Sequence, residues 1–314
     1  MATEVLILEK EAEIYVSHLA PRFPQAGFRA ATDAEAAAAI GREAEVLFAL
    51  AHEVPAGLLA AMPRLRWIQA LTTGVDHLLA LPNLRPEVLV TNARGIHGPQ
   101  MSEMAFLHMM SLLRDFPRML ANQRAHRWER WPQRLLLGKT AVLIGIGAIS
   151  EELALRCRAF GMRVIGVSDA RSEAPGFDLV LPRARLAEAA AEADVLIVLV
   201  PLTPATRHMI DRSVLAAMRP EAILINLARG PVVDEQALIE ALQEGRIAGA
   251  GLDVFETEPL PPDSPLWDMP HVVVTPHVGG MSDVYARQIL PLLEQNLRAY
   301  LSGDVAGLRN LVPR

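Results

Sequence analysis

The stretch Ala141-Val-Leu-Ile-Gly-Ile-Gly-Ala-Ile-Ser150 joins a continuous apolar run to a helical pattern through two closely spaced glycines. A strand that turns tightly into a helix is built to hold a pyrophosphate. Gly145 permits the turn, Gly147 lets the backbone approach the phosphates, and the helix N-terminus directs positive partial charge at them. The loop residues Gly145, Ile146, Gly147, Ala148 and Ile149 are therefore the first candidate contacts to a dinucleotide cofactor. Ser150 replaces the third glycine of the pattern. Its hydroxymethyl group falls where helix and strand pack closely, and it is expected to shift the helix slightly without abolishing the site.

Downstream of this turn, apolar runs at 163–167, 178–181, 195–200, 223–227, 250–254 and 272–275 alternate with helical patterns at 151–160, 184–191, 212–218 and 235–244. Most of the runs show no polar alternation, as expected of parallel strands buried on both faces. This part reads as a doubly wound parallel sheet of the Rossmann type. Upstream, strand candidates at 5–8, 46–50, 65–71 and 88–91, with an Ala-rich helix at 33–40 capped by Thr32 or Asp33, read as a second α/β layer structure. An amphipathic helix over 99–121 places Met101, Met104, Ala105, His108, Met109 and Leu112 at helical spacing, a stripe read as packing. The last helical pattern, 283–301, is too long for another crossover and is expected to return to the first series. The expected fold is α/β, with two doubly wound parallel sheets. A flavodoxin-like domain of residues 1–98 and 282–314 is expected to hold a dinucleotide-binding domain, 99–281, as an insertion.

A chain of 314 residues with 51% hydrophobic content suits two cores better than one. A net charge of -6 and the lack of any basic run argue against nucleic acid or an anionic membrane as partner. The single cysteine, Cys157, excludes an internal disulfide and a cysteine-rich metal site; it reads as a small apolar helix residue in a protein of the reducing cytoplasm. The N-terminal apolar stretch is too short for a signal peptide, and no apolar run approaches the roughly 20 residues of a membrane span.

Three later segments each place a polar residue at the end of an apolar run: Asn226-Leu-Ala-Arg-Gly230, Gly251-Leu-Asp-Val-Phe-Glu-Thr-Glu-Pro259 and Thr275-Pro-His-Val-Gly-Gly280. Arg229, Glu258 and His277 can thus sit where strands stop. The adenosine end of the cofactor site is expected after 163–167, where Ser168 stands with Asp169 beside it and Arg171 two residues on. Ser168 and Arg171 tolerate a 2'-phosphate, whereas Asp169, pointing into the pocket, would bond the ribose hydroxyls and repel that phosphate. NAD and NADP both stay open, with the balance on the NAD side.

Together with Thr72-Thr-Gly-Val-Asp76 and Val200-Pro-Leu-Thr-Pro-Ala-Thr206, these stretches occur in the order found in the D-specific 2-hydroxyacid dehydrogenases, which the chain resembles over nearly its whole length. The pattern is nearest to the glyoxylate/hydroxypyruvate reductase-like members. The resemblance implies a reversible, stereospecific hydride transfer between a nicotinamide cofactor and a small 2-oxo or 2-hydroxy acid. It implies that Arg229 binds the substrate carboxylate and polarises the carbonyl, that His277 moves the proton, and that Glu258, preceding Pro259, tunes His277 while Glu256 is a solvated or structural acid. It further implies that Asp253 takes the nicotinamide carboxamide with the backbone around Leu227 and Ala228. Val200, Pro201 and Thr206 should flank the adenine and phosphates, and Gly279 and His277 should also lie against the cofactor. Thr73, Gly74 and Val75 should offer backbone amides to the substrate carboxylate, and Arg94 is expected to recognise a second polar group on the substrate. Domain 1–98 with 282–314 would then be the substrate domain, and a homodimer built through the cofactor domain is implied.

Asp76 could cap the helix that follows it, and Trp128 and Trp131 are expected to anchor their loop in preference to lining a pocket. Alternative readings are an NAD(H)-sensing co-repressor-like protein on the same fold and a phosphoglycerate dehydrogenase-type activity. Formate oxidation would need Gln where Glu258 stands.

Overall fold

Parallel strands gather into two separate sheets. The computed structural model describes residues 2–313, which divide into one unit running up to Ile96 and resuming at Ser282, and another from His97 to Met281.

The first unit holds β1 (Thr3–Leu8), β2 (Ala26–Ala31), β3 (Val46–Ala49), β4 (Trp67–Ala70) and β5 (Leu89–Thr91). They are all parallel, in the order β2-β1-β3-β4-β5, the flavodoxin-like arrangement. Strand β2 carries no signal in the sequence, because Ala-Gly-Phe-Arg-Ala-Ala lacks any β-branched residue. It exists through its ladder with β1, from Thr3 opposite Ala26 to Leu8 opposite Ala31. Leu6, Leu8, Leu47 and Ile68 face one side of the sheet, packed with Ala37, Leu58 and Leu59 of the helices Ala34–Ile40 and Ala56–Ala61. Asp33 caps the first of these, accepting from the Ala36 amide at 2.8 Å. Val5, Ile7, Phe48 and Trp67 face the other side, against Tyr15 and Leu19 of Ala12–Leu19 and Ile289, Leu290, Leu293 and Leu297 of Tyr285–Leu301. A buried polar chain ties this last helix to the sheet. Trp67 Nε1 donates to Thr91 Oγ1 (2.9 Å), Thr91 donates to Gln69 Oε1 (2.8 Å), and Asn296 Nδ2 donates to the same oxygen (2.7 Å).

The second unit holds β6 (Thr140–Ile144), β7 (Arg163–Val167), β8 (Leu179–Leu181), β9 (Val195–Val198), β10 (Ile223–Asn226), β11 (Gly249–Leu252) and β12 (Val272–Val274). Their order is β12-β11-β10-β9-β6-β7-β8, all parallel. The strand period of two divides the side chains between two cores. Val195 and Ile197 join Ala105, Met109, Leu153 and Cys157 on one face, while Leu196 and Val198 join Ala189, Val214 and Leu238 on the other. Burial pushes the Cys157 thiol up to about 12, so it stays protonated and inert.

The segment expected as one helix over 99–121 is two, Gly98–Leu113 and Phe116–Arg124, with Asp115 between them in the left-handed region at φ 54°. Pro117 explains the break: it has no amide to give to a preceding turn, and its ring would crowd that turn's carbonyl. Asp76 is the first residue of the helix Asp76–Leu79, and Val75 holds the cap position in its place. Among the described residues no helix is long and apolar enough to cross a membrane.

Candidate active site

The strand order of the second sheet reverses between β6 and β9, and in such sheets ligands bind at the carboxyl ends beside that reversal. Gly145 follows β6 at φ 95°, and a Cβ there would lie 2.7 Å from Val200 Cγ1, beyond β9. The two loops therefore abut only because residue 145 has no side chain. Gly147 differs. It precedes the helix Ala148–Ala159, and a Cβ on it would meet nothing within 4 Å. Protein packing does not require that glycine, and its lack of a side chain leaves the backbone at the helix N-terminus open to close approach by a phosphate group. Ser150 is buried, and its hydroxyl donates to the Gly145 carbonyl at 2.6 Å, so the additional group closes the loop on itself. Ile146 lies over Gly166, where a Cβ would come 2.6 Å from Ile146 Cδ1, and Ile149 is half-buried against the core. The Thr206 hydroxyl turns into its own loop, donating to the Pro201 carbonyl (2.7 Å) and accepting from the Thr203 amide (2.8 Å).

Beyond β7, Ser168, Asp169, Arg171, Ser172, Val180 and Pro182 line an open pocket of about 410 Å³. The Asp169 carboxylate accepts from the Arg183 amide at 2.8 Å and faces the Arg183 guanidinium at 3.4 Å. Arg171 pairs with Glu151, and Arg183 Nη1 reaches the Ala205 carbonyl at 3.1 Å. The acid of this region is thus engaged by an arginine fourteen residues on.

At the end of β10, buried Asn226 shapes the following turn: its Oδ1 accepts from the Ala228 amide and its Nδ2 donates to the Arg229 carbonyl, each at 3.1 Å. Leu227 and Ala228 are buried, while Arg229 is half-buried with Nη1 on the Ala228 carbonyl at 2.7 Å. Gly230 presses on another backbone segment. A Cβ there would stand 1.8 Å from the Phe255 oxygen and 2.4 Å from the Glu256 nitrogen. From that second segment comes Glu258, whose Oε1 accepts from the Phe255 amide at 3.0 Å and whose Oε2 meets His277 Nδ1 at 2.7 Å. Burial alone would raise the Glu258 pKa. The hydrogen bonds from His277 and Phe255, with the charges of His277 and Arg229, outweigh it and hold the group below the usual 4.5. Glu256 faces Arg207 and His208 instead, at 3.6 and 3.5 Å.

His277 occupies the left-handed region at φ 53°, a costly conformation for a residue with a side chain. Asp253, 2% exposed, holds it there. One carboxylate oxygen accepts from Thr275 Oγ1 (2.6 Å) and the Val278 amide (3.0 Å), the other from the Gly279 amide (2.9 Å). Three of its roughly four acceptor positions are filled, leaving one for a further donor. With Nδ1 on Glu258, Nε2 is the His277 nitrogen able to exchange a proton with a bound molecule. Arg229, Glu258 and His277 thus form a cation, a carboxylate and a directed imidazole within one unit.

Thr73, Gly74, Val75 and Arg94 belong to the other unit. Asn92 gathers them, donating to the Thr73 carbonyl at 2.9 Å and accepting from the Arg94 amide at 3.2 Å. The Val75 side chain is buried in the core, so only its backbone is on offer. Trp131 lies under the Arg118 guanidinium at 4.3 Å, while Trp128 is 87% exposed. Among the described residues no three His, Cys, Asp or Glu side chains group as a metal site.

Residues 106–279 match the family of the D-isomer specific 2-hydroxyacid dehydrogenase, NAD binding domain. The chain belongs to the D-isomer specific 2-hydroxyacid dehydrogenase family. A glyoxylate reductase of Korarchaeum cryptofilum is 34% identical over 262 residues, 82% of this chain and 79% of that protein. A crystal structure of a family protein from Aeromonas salmonicida has a TM-score of 0.92 at 34% identity, covering 100% of this chain and 99% of that one. An NADPH-dependent glyoxylate/hydroxypyruvate reductase from Sinorhizobium meliloti, solved with NADP and sulfate, has a TM-score of 0.84 at 29% identity, covering 99% and 98%. This D-2-hydroxyacid dehydrogenase is an NAD(P)-dependent oxidoreductase.

Sequence reasoning passed over three contributors to the site. Asn226 and Gly230 lie in the motif that carries Arg229, and a glycine directly after a candidate arginine signals close backbone approach. By spacing alone His108 is one member of a methionine stripe. It is fully buried, with Nε2 3.1 Å from Thr275 Oγ1.

Proposed function

We propose that this dehydrogenase reduces glyoxylate and hydroxypyruvate, with NADPH favoured over NADH. The observation that carries the reaction is the 2.7 Å contact of His277 Nδ1 with Glu258 Oε2 on a unit that also presents Arg229. A bound nicotinamide cofactor supplies the hydride. Arg229 pairs with the substrate carboxylate through its planar fork and draws electron density from the adjacent carbonyl. His277 passes its Nε2 proton to the carbonyl oxygen as the carbon is reduced, and takes that proton back in the oxidative direction. Glu258 favours the imidazolium and fixes the ring. The Gly145–Ile149 loop and Val200–Pro201 carry the phosphates and adenine, and the Asp253 carboxylate with the Leu227–Ala228 backbone takes the carboxamide. Thr73, Gly74, Val75 and Arg94 are assigned to the substrate, and a homodimer through the second unit to the assembly, on family likeness. Exposed Leu107, Met110 and Phe116 suit such an interface.

The preference for NADPH departs from the balance toward NAD that Asp169 suggested. Its carboxylate is held by Arg183 and so is turned from the ribose hydroxyls, while Ser168 and the Arg171 and Arg183 guanidinium groups, now on Glu151 and Asp169, stand at the same pocket and could turn to a 2'-phosphate. The Sinorhizobium meliloti relative supports the same choice. Steady-state rates over a panel of 2-oxo acids with both cofactors test the proposal. We expect kcat/KM for NADPH to exceed that for NADH by about tenfold or more, a difference of one charge-assisted contact, and Arg183→Ala to narrow the gap by raising KM for NADPH alone. A preference for NADH overturns the cofactor reading, and no turnover with any 2-oxo acid overturns the enzymatic one.

Glu258→Gln tests the role of the carboxylate. Because its pKa is depressed, Glu258 is ionised above the ordinary carboxylate range, and its support is lost only as pH falls through its lowered value. A neutral amide removes that support at working pH. Glu258→Gln should then lower kcat for reduction by about tenfold, and a wild-type kcat would refute the assignment.

A further inference from the structure

His108 sits fully buried on the sheet-facing side of the helix Gly98–Leu113, in a row whose neighbours Ala105 and Met109 are apolar. Its Nε2 is 3.1 Å from Thr275 Oγ1, and its Nδ1 has no hydrogen-bond partner among the described residues. Room for the ring is made by Gly251, where a Cβ would lie 2.4 Å from His108 Nδ1. Because a Cβ there would also stand 2.7 Å from His108 Cβ, Gly251 serves any side chain at this position; an apolar one would fill the place without leaving a buried nitrogen unpaired, so packing alone does not account for an imidazole here.

The proton positions follow from the partners. Thr275 Oγ1 carries one hydrogen, and its 2.6 Å contact with the Asp253 carboxylate uses it. Toward His108 the hydroxyl can therefore only accept, which puts the ring proton on Nε2 and leaves Nδ1 bare. Burial pushes the His108 pKa below its ordinary 6.5, in keeping with a neutral ring. Asp253 in turn accepts from the amides of Val278 and Gly279, the two residues directly after His277.

We propose that His108 is a positioning residue for His277: its Nε2–H fixes the Thr275 hydroxyl, Thr275 fixes the Asp253 carboxylate, and Asp253 fixes the turn that carries His277. The relay runs from the helix to the residue directly after β12, on to the residue directly after β11, and back to the loop after β12, so a change on a buried helix face reaches the proton-transfer geometry. The inference rests on His277 as proton donor, which His277→Ala tests separately.

The test compares His108→Leu, His108→Gln, Thr275→Val and the double variant His108→Leu/Thr275→Val by kcat for glyoxylate reduction and by thermal melting. Leucine keeps the burial and loses the donor; glutamine places an amide N–H near the position of Nε2. We expect His108→Leu and Thr275→Val each to lower kcat by about tenfold, His108→Gln to recover most of that loss, and the double variant to be no worse than either single one, as members of one chain behave. Wild-type kcat in His108→Leu or in Thr275→Val overturns the proposal, as does a glutamine variant as slow as the leucine one, or single effects that multiply. If His108→Leu fails to fold, His108→Gln and Thr275→Val decide: near-wild-type kcat in the first with loss in the second supports the relay, and any other result overturns it.

Discussion

Replacing His277 by alanine is expected to lower kcat for 2-oxo acid reduction by about 10²- to 10⁴-fold, the range lost when a positioned general acid is removed. The imidazole is oriented before substrate arrives, by Glu258 on Nδ1 and by a left-handed backbone that Asp253 secures. Alanine removes the proton donor and leaves both supports in place, so fluorescence titration should give a Kd for NADPH within about threefold of wild type, under 1 kcal/mol. His277 is 45% exposed on its side chain and Glu258 34%, so the lost pair should cost little in melting temperature. Loss of cofactor binding in parallel with kcat would mean that the residue holds the fold of the site and not the proton.

The second large effect is expected at Gly230, and it separates two kinds of glycine. In Gly230→Ala the new methyl group would fall 1.8 Å from the Phe255 carbonyl oxygen and against the Glu256 nitrogen. Neither obstacle is the flexible end of a side chain, so two backbone segments must separate. Overpacking costs about 1–3 kcal/mol where side chains can yield, and more is expected here. Melting of the second unit should fall by at least about 5 °C. Because Arg229 rides on one segment and Glu258 on the other, kcat/KM should fall as well. Gly147→Ala is the control: a Cβ there meets nothing within 4 Å. Its melting temperature should match wild type while the Kd for NADPH rises, because the one group its methyl would meet in the proposed site is the cofactor's pyrophosphate. Equal melting temperatures for Gly230→Ala and wild type would show that the 229–230 and 255–256 segments do not set each other's position.

Much of this organisation can be read from the chain, for reasons particular to each element. Strands buried on both faces need apolar residues at every position, so Ala141 to Ile144 and Val195 to Val198 stand out as unbroken runs. Strand β2 does not, since its identity lies in the ladder to β1 and not in its own residues. The break at Asp115 is masked by apolar spacing that continues across it, although Pro117 marks it. Arg229, Glu258 and His277 stand out because each is polar in the segment that follows a buried strand. Whether Asp169 faces a ribose depends on Arg183, which a local reading does not connect to it. His108 shows the limit most clearly: helical spacing correctly buries it, but its partner Thr275 lies 167 residues away, and burial alone says nothing of a hydrogen bond.

The pH dependence of wild-type rates in both directions bears most directly on the chemistry assigned to this site. Reduction needs His277 protonated and oxidation needs it free, so reduction of glyoxylate should fall as pH rises while oxidation of the corresponding 2-hydroxy acid rises over the same interval. Opposed profiles crossing in one pH range are the expected result; two profiles that rise or fall together would contradict proton transfer by His277.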